Sequence, residues 1–107
     1  KMDHKIMFVV LTCGLLLMSN AMAYSANIFV VYKDAGSSTN RASHADVYDS
    51  NYQYLGTTDS QGNLYVKNLK GGYQMFHAAV TVGNRHYYGD QGWTVPGTQI
   101  YIVCRPR

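Results

Sequence analysis

The chain has 107 residues, of which 14% are charged and 13% aromatic, with a formal net charge of +3. That length holds one small domain. The basic residues are scattered and form no stripe of the kind nucleic-acid binders carry. The sequence contains no Glu, no Gly-x-Ser-x-Gly elbow and no phosphate-cradling Gly loop. This composition points away from an enzyme, from a bound cofactor and from a nucleic-acid partner.

Residues 1–23 differ from the rest. Lys1 and Lys5 give a basic start, Ile6 to Met18 is an apolar run of 13 residues, and Ala21-Met22-Ala23 follows a polar Ser19-Asn20. Small residues at the first and third places before a cut are what signal peptidase accepts. The run is too short to cross a hydrocarbon core of ~30 Å. The expectation is a cleavable signal peptide over 1–23 and export of residues 24–107 to the periplasm, the cell surface or the medium. No membrane span remains after cleavage. Cys13 leaves with the leader, so Cys104 is the lone cysteine of the exported part. It is either a small apolar strand residue or the site of an intermolecular disulfide.

The exported part reads as strands and turns. Ala26 to Tyr32 is β-branched and aromatic, hence a strand. Asp34 to Asn40 is a loop by composition. Ser43 to Asp49 alternates, with Ala45 and Val47 on one face and His44, Asp46 and Tyr48 on the other. Tyr52 to Thr57 is a third strand. Thr58 to Asn63 is a hairpin loop in which Asp59 accepts backbone hydrogens and Gly62 takes positive φ. Leu64 to Leu69 is a fourth strand, and Gly71-Gly72 carries the chain across to the fifth, Tyr73 to Val82. Gly83-Asn84 is a tight turn and Arg85 to Tyr88 a sixth strand. Gly89 to Gly92 reads as a loop, and Thr98 to Cys104 as the closing strand. Strands at this spacing, with no helical periodicity, mark a sandwich or barrel.

The stretch from Gly56 to Tyr73, Gly-Thr-Thr-Asp-Ser-Gln-Gly-Asn-Leu-Tyr-Val-Lys-Asn-Leu-Lys-Gly-Gly-Tyr, resembles the hallmark of carboxypeptidase regulatory-like domains. These are close kin of transthyretin-like (prealbumin-like) and collagen-adhesin B-type modules. Ala45 to Asp49 fits the strand that precedes it, and the match covers residues 42–82. The resemblance implies one all-β domain over 24–107, a seven-stranded Greek-key β-sandwich. It implies structure or adhesion more than chemistry. Asp59, Gly62, Gly72 and Tyr73 are its structural residues, with Tyr73 expected to bury its ring and tie its hydroxyl to nearby backbone.

For function, the aromatics carry the signal. All 10 Tyr lie in residues 24–107, more than a small core holds. Tyr48, Tyr65, Tyr87, Tyr88, Trp93 and Tyr101 are the candidate contact residues, because Tyr and Trp are enriched in binding patches. The first reading is a secreted non-catalytic structural or binding module that makes protein contacts or assembles at the cell envelope. The alternative is a carbohydrate-binding accessory protein using the surface Tyr and Trp. A less favoured third is a periplasmic metal-binding protein, in which Met75 and His77 on one strand face would suit copper. No metal ligand set stands out. Ile28 to Tyr32 is apolar on both faces, so it either lies between strands of its own domain or pairs with a second copy as an edge strand.

Overall fold

The computed structural model describes residues 23–95 and 99–107. The leader expected over 1–23 falls, except for Ala23, outside the described residues, and so does Thr98. The described residues form eight strands and no helix: β1 (Tyr24–Tyr32), β2 (Asn40–Arg41), β3 (Asp46–Tyr48), β4 (Tyr54–Thr57), β5 (Asn63–Leu69), β6 (Gly72–Val82), β7 (Arg85–Val95) and β8 (Gln99–Pro106). The described part is therefore all-β, with the short β2 added to the seven strands expected.

The strands make one curled mixed sheet in the order β2-β1-β8-β7-β6-β3-β4, with β5 also paired to β1. Only β1 and β8 run parallel, from Asn27 opposite Gln99 to Tyr32 opposite Cys104. β8 then reaches β7, where Tyr87 and Tyr88 pair with Pro106 and Arg105. β8 thus joins the β5-β1-β8 half to the β7-β6-β3-β4 half. Gly71-Gly72, with Gly72 at φ 101°, passes the chain from β5 in the first half to β6 in the second.

The curl turns alternate residues of both halves onto one core. Ile28, Val30, Ile100 and Ile102 from the first half meet Val47, Phe76, Ala78 and Val80 from the second, all buried. Burying each of the larger side chains contributes roughly 1.5–3 kcal/mol. The alternation of Ala45 and Val47 inward against Asp46 and Tyr48 outward holds as the pattern requires, although the strand proper begins only at Asp46.

Two expectations are corrected, and one open alternative is decided. Residues 89–92 are not a loop but the middle of β7, which pairs with β6 without a break from Arg85 to Val95. The glycines are there for close approach rather than for a turn. A Cβ on Gly89 would run into the Val103 carbonyl of β8, and one on Gly92 would meet the Tyr73 ring. Second, Tyr73 is not buried: it is 69% exposed, lying over Gly92 on the outer side of β7. The residue that buries its ring and ties its hydroxyl is Tyr87, 3% exposed and bonded to Asp34. Third, β1 is not an edge. β8 lines one side of it, and β5 and β2 line the other, so the strand offered for pairing with a second copy belongs to its own sheet.

Cys104 is fully buried, its Sγ 3.7 Å from the Ala78 carbonyl. Burial pushes its thiol up to about 12. The intermolecular disulfide is therefore set aside, and Cys104 packs as a small apolar residue.

Candidate functional site

The outer face of the β4-β3-β6-β7 half carries a continuous row of chemistry. Register alone sets it: Tyr54 lies opposite Tyr48, Tyr48 opposite His77, and His77 opposite Asp90. The next row puts Asp46 opposite Ala79 and Ala79 opposite Tyr88. Because strand side chains alternate, these groups all stand on one side, away from the core.

His77 Nδ1 sits 2.6 Å from Asp90 Oδ1, and Arg107 Nη2 approaches Asp90 Oδ2 at 3.5 Å. A carboxylate only accepts, so His77 presents Nδ1–H to it and leaves Nε2 as the ring's other polar atom. The Tyr52 ring stacks on the His77 ring with centroids 4.0 Å apart and planes 13° from parallel. Tyr48 and Tyr54 meet edge to face at 5.9 Å, and Arg107 lies over the Tyr88 ring at 5.2 Å. Between them runs a trough of about 240 Å³ whose floor is Ala79 and the backbone of Ala78. A second hollow of about 290 Å³, walled by His44, Asp46, Thr81 and His86, shares Ala79 and Tyr88 with it. The three described histidines therefore line a single face.

Tyr52 reaches this position through an unusual backbone. Asp49 closes a turn in which its Oδ1 accepts from the N–H of Asn51 and Gln53 at 2.8 and 2.9 Å. Tyr52, the fourth residue, adopts φ 60°. A left-handed conformation costs a non-glycine residue roughly 1–2 kcal/mol. The hairpin ten positions on is built the same way from Asp59, whose Oδ1 accepts from Gln61 and Asn63 at 2.8 and 3.0 Å. There the fourth residue is Gly62, at φ 85° and without that cost. Those backbone hydrogen bonds also hold the Asp59 carboxyl below its ordinary value. Gly62 has a second reason to be glycine, since a Cβ would lie 2.6 Å from the Val30 carbonyl.

The six tyrosine and tryptophan candidates do not form one patch. Tyr48 and Tyr88 line the trough. Tyr65 and Tyr101, 60% and 42% exposed, stand on the opposite outer face, where Tyr101 packs beside Phe29 at 5.7 Å and Arg41 covers Phe29. Tyr87 is a core residue, which corrects its placement in a contact surface. Trp93 is half-buried against the core, so it is no free platform either. Sequence reading left Tyr52, Tyr54, Asp90 and Arg107 out of the candidate set. The repeated Asp-Ser-x-x-Asn/Gln pattern at 49–53 and 59–63 was the available signal for Tyr52.

Met75 and His77 share the outer face of β6 as their spacing implies, but His77 is committed to Asp90 and Tyr52. Among the described residues there is no group of three or more His, Cys, Asp or Glu placed to hold a metal ion. No helix among them is long and apolar enough to cross a membrane. Comparisons with protein-family models, with curated proteins and with solved structures return no match for this chain.

Proposed function

We propose that this chain is a secreted, non-catalytic binding module of the cell envelope, with its partner held on the outer face of β3, β6 and β7. The observation that carries this reading is the trough itself. Exposed rings, a paired carboxylate and guanidinium, and a small-residue floor converge on one face, which is the makeup of a contact site. Tyr52 adds to it, because a bulky residue held in a strained conformation points to a role beyond the fold.

The resemblance to carboxypeptidase regulatory-like and transthyretin-like domains, with its Greek-key sandwich, fits the two sheet halves that share one core. Export fits the basic and apolar start of the chain. β1 begins at Tyr24, so a cut after Ala23 leaves every described strand whole. Two measurements test the reading. Mass spectrometry of protein recovered outside the cytoplasm should give Tyr24 as the first residue, and a full-length chain retained in the membrane would refute export. Envelope material held by the immobilised chain should be lost on Tyr88→Ser and kept on Tyr101→Ser, which alters the opposite face; equal loss from both would refute the assigned face.

A further inference from the structure

Given that binding face, on which this inference rests, we propose that its ligand is a neutral pyranose glycan, with Tyr52 as the platform under one sugar ring.

Charge comes first. Asp90 is bracketed by Arg107 and by His77 Nδ1–H, so the trough holds a compensated set of charges with no excess of either sign. A polyanion needs unpaired cations, and a cationic ligand needs a free carboxylate. The groups remain reachable: the Asp90 and Arg107 side chains are 46% and 62% exposed. A carboxylate accepting and a guanidinium donating, side by side, are what vicinal hydroxyls require.

Shape comes second. One face of the Tyr52 ring lies on His77, yet the residue is 67% exposed. The remaining surface is a flat apolar plate beside polar groups, with Tyr48 and Tyr88 as flanking walls. A pyranose carries the matching pair of surfaces, an apolar C–H face and a rim of hydroxyls. The trough, at about 240 Å³, lies below the ~300–1,000 Å³ of sites that enclose a cofactor or drug-sized ligand, so it takes one ring of a chain that continues outside it. β3 and β6, which line the trough, are both flanked by neighbouring strands and offer a peptide strand no free backbone, and β4, at the end of the sheet order, contributes no residue to the trough's lining.

Strain comes third. The fold builds this same turn with glycine at Gly62 and with tyrosine at Tyr52. Glycine would relieve the turn at 52, so the tyrosine serves something other than folding.

The test follows from that difference. The full chain and the variants Tyr52→Gly, Asp90→Asn and Tyr65→Ala are applied to an array of neutral gluco-, manno- and xylo-oligosaccharides beside sulfated and uronic acid-bearing ones, and each variant is melted in parallel. Neutral oligosaccharides should be bound, with signal at least tenfold lower for Tyr52→Gly and Asp90→Asn and unchanged for Tyr65→Ala. Tyr52→Gly should melt no lower than the parent, so its lost binding is not lost folding. Binding confined to acidic glycans, or neutral binding that survives Tyr52→Gly, overturns the proposal. A silent array with envelope protein still captured in a Tyr88-dependent way also overturns it, while leaving the binding face in place. A silent array without such capture removes both.

Discussion

The Tyr87 hydroxyl donates to both carboxylate oxygens of Asp34, at 3.1 and 3.3 Å, joining positions 53 apart in the chain. The Asp34 carboxylate also meets Arg85 at 3.1 Å, and the Tyr87 ring packs 5.0 Å from Tyr32. This network pins the start of the 34–39 loop to β7. Burial, followed by the hydrogen bond to Asp34, raises the Tyr87 phenol above its ordinary value of 10.0. A raised folded value means that the stabilisation is present below the unfolded value and is lost as pH rises through the folded one. Tyr87→Phe removes the donor to Asp34 and should lower the melting temperature at pH 7. The variant should also lose part of the parent's decline above pH 10. An unchanged melting curve at both pH values would dissolve the link.

Thr58 is the one buried polar residue among the described ones. Its hydroxyl donates to the Ala42 carbonyl at 2.6 Å and accepts from the Ala45 N–H at 2.8 Å. One side chain thus ties together the turn between β2 and β3. Thr58→Val keeps the shape and strands a buried donor and a buried acceptor, at ~1–3 kcal/mol for each group left unsatisfied. Urea unfolding should show a loss of about 2 kcal/mol or more, whereas Thr57→Val, at a partly exposed site, should cost much less. Equal costs would mean that the bridge does not carry the turn.

What the sequence made legible were the features with a local cause. Alternation placed Ala45 and Val47 inward, and turn chemistry identified Asp59, Gly62 and the Gly83-Asn84 hairpin. The errors share a different cause. Gly89 and Gly92 read as a loop because glycine in a strand is explained only by what lies above it, and neither β8 nor the Tyr73 ring is adjacent in sequence. Tyr73 and Tyr87 exchanged expected roles for a related reason: the buried tyrosine is the one whose hydroxyl meets Asp34, a partner set by tertiary contact. The site was half legible. Tyr48 follows from strand phase and Tyr88 from its aromatic character alone, but Asp90 and Arg107 join them only through register between β6 and β7 and the return of the chain at the end of β8.

The fate of Cys104 can be read chemically. The thiolate is the reactive species, and burial holds this thiol at about 12. Native protein at pH 8 should resist iodoacetamide for hours, and the same protein in guanidinium should be alkylated within minutes. Labelling of the native chain at the unfolded rate, or a disulfide-linked dimer on a non-reducing gel, would show that the thiol is accessible after all.

Gly89 and Gly92 supply the sharpest contrast, because both sit in β7 and both would collide with something if given a Cβ. At Gly89 the obstacle is the Val103 carbonyl together with the Cys104 Cα, backbone of β8 where it crosses from one half of the sheet to the other. Neither can move without breaking the β7–β8 junction. At Gly92 the obstacle is the outer end of the Tyr73 ring, a side chain 69% exposed and free to rotate into solvent. Overpacking that the neighbours cannot absorb costs ~1–3 kcal/mol and sometimes more. Gly89→Ala should fall at the top of that range, about 3 kcal/mol or beyond. Gly92→Ala should cost under ~1 kcal/mol, since Ala also relieves the strand of a residue that weakens it. Tyr73→Ala bears on the same geometry. If the ring only shields Gly92, its removal should be mild, and Tyr73→Ala combined with Gly92→Ala should melt no lower than Tyr73→Ala alone. Comparable losses for Gly89→Ala and Gly92→Ala in urea would mean that β8 does not pass against β7 at this point, and the joint between the two halves of the sheet would have to be sought elsewhere.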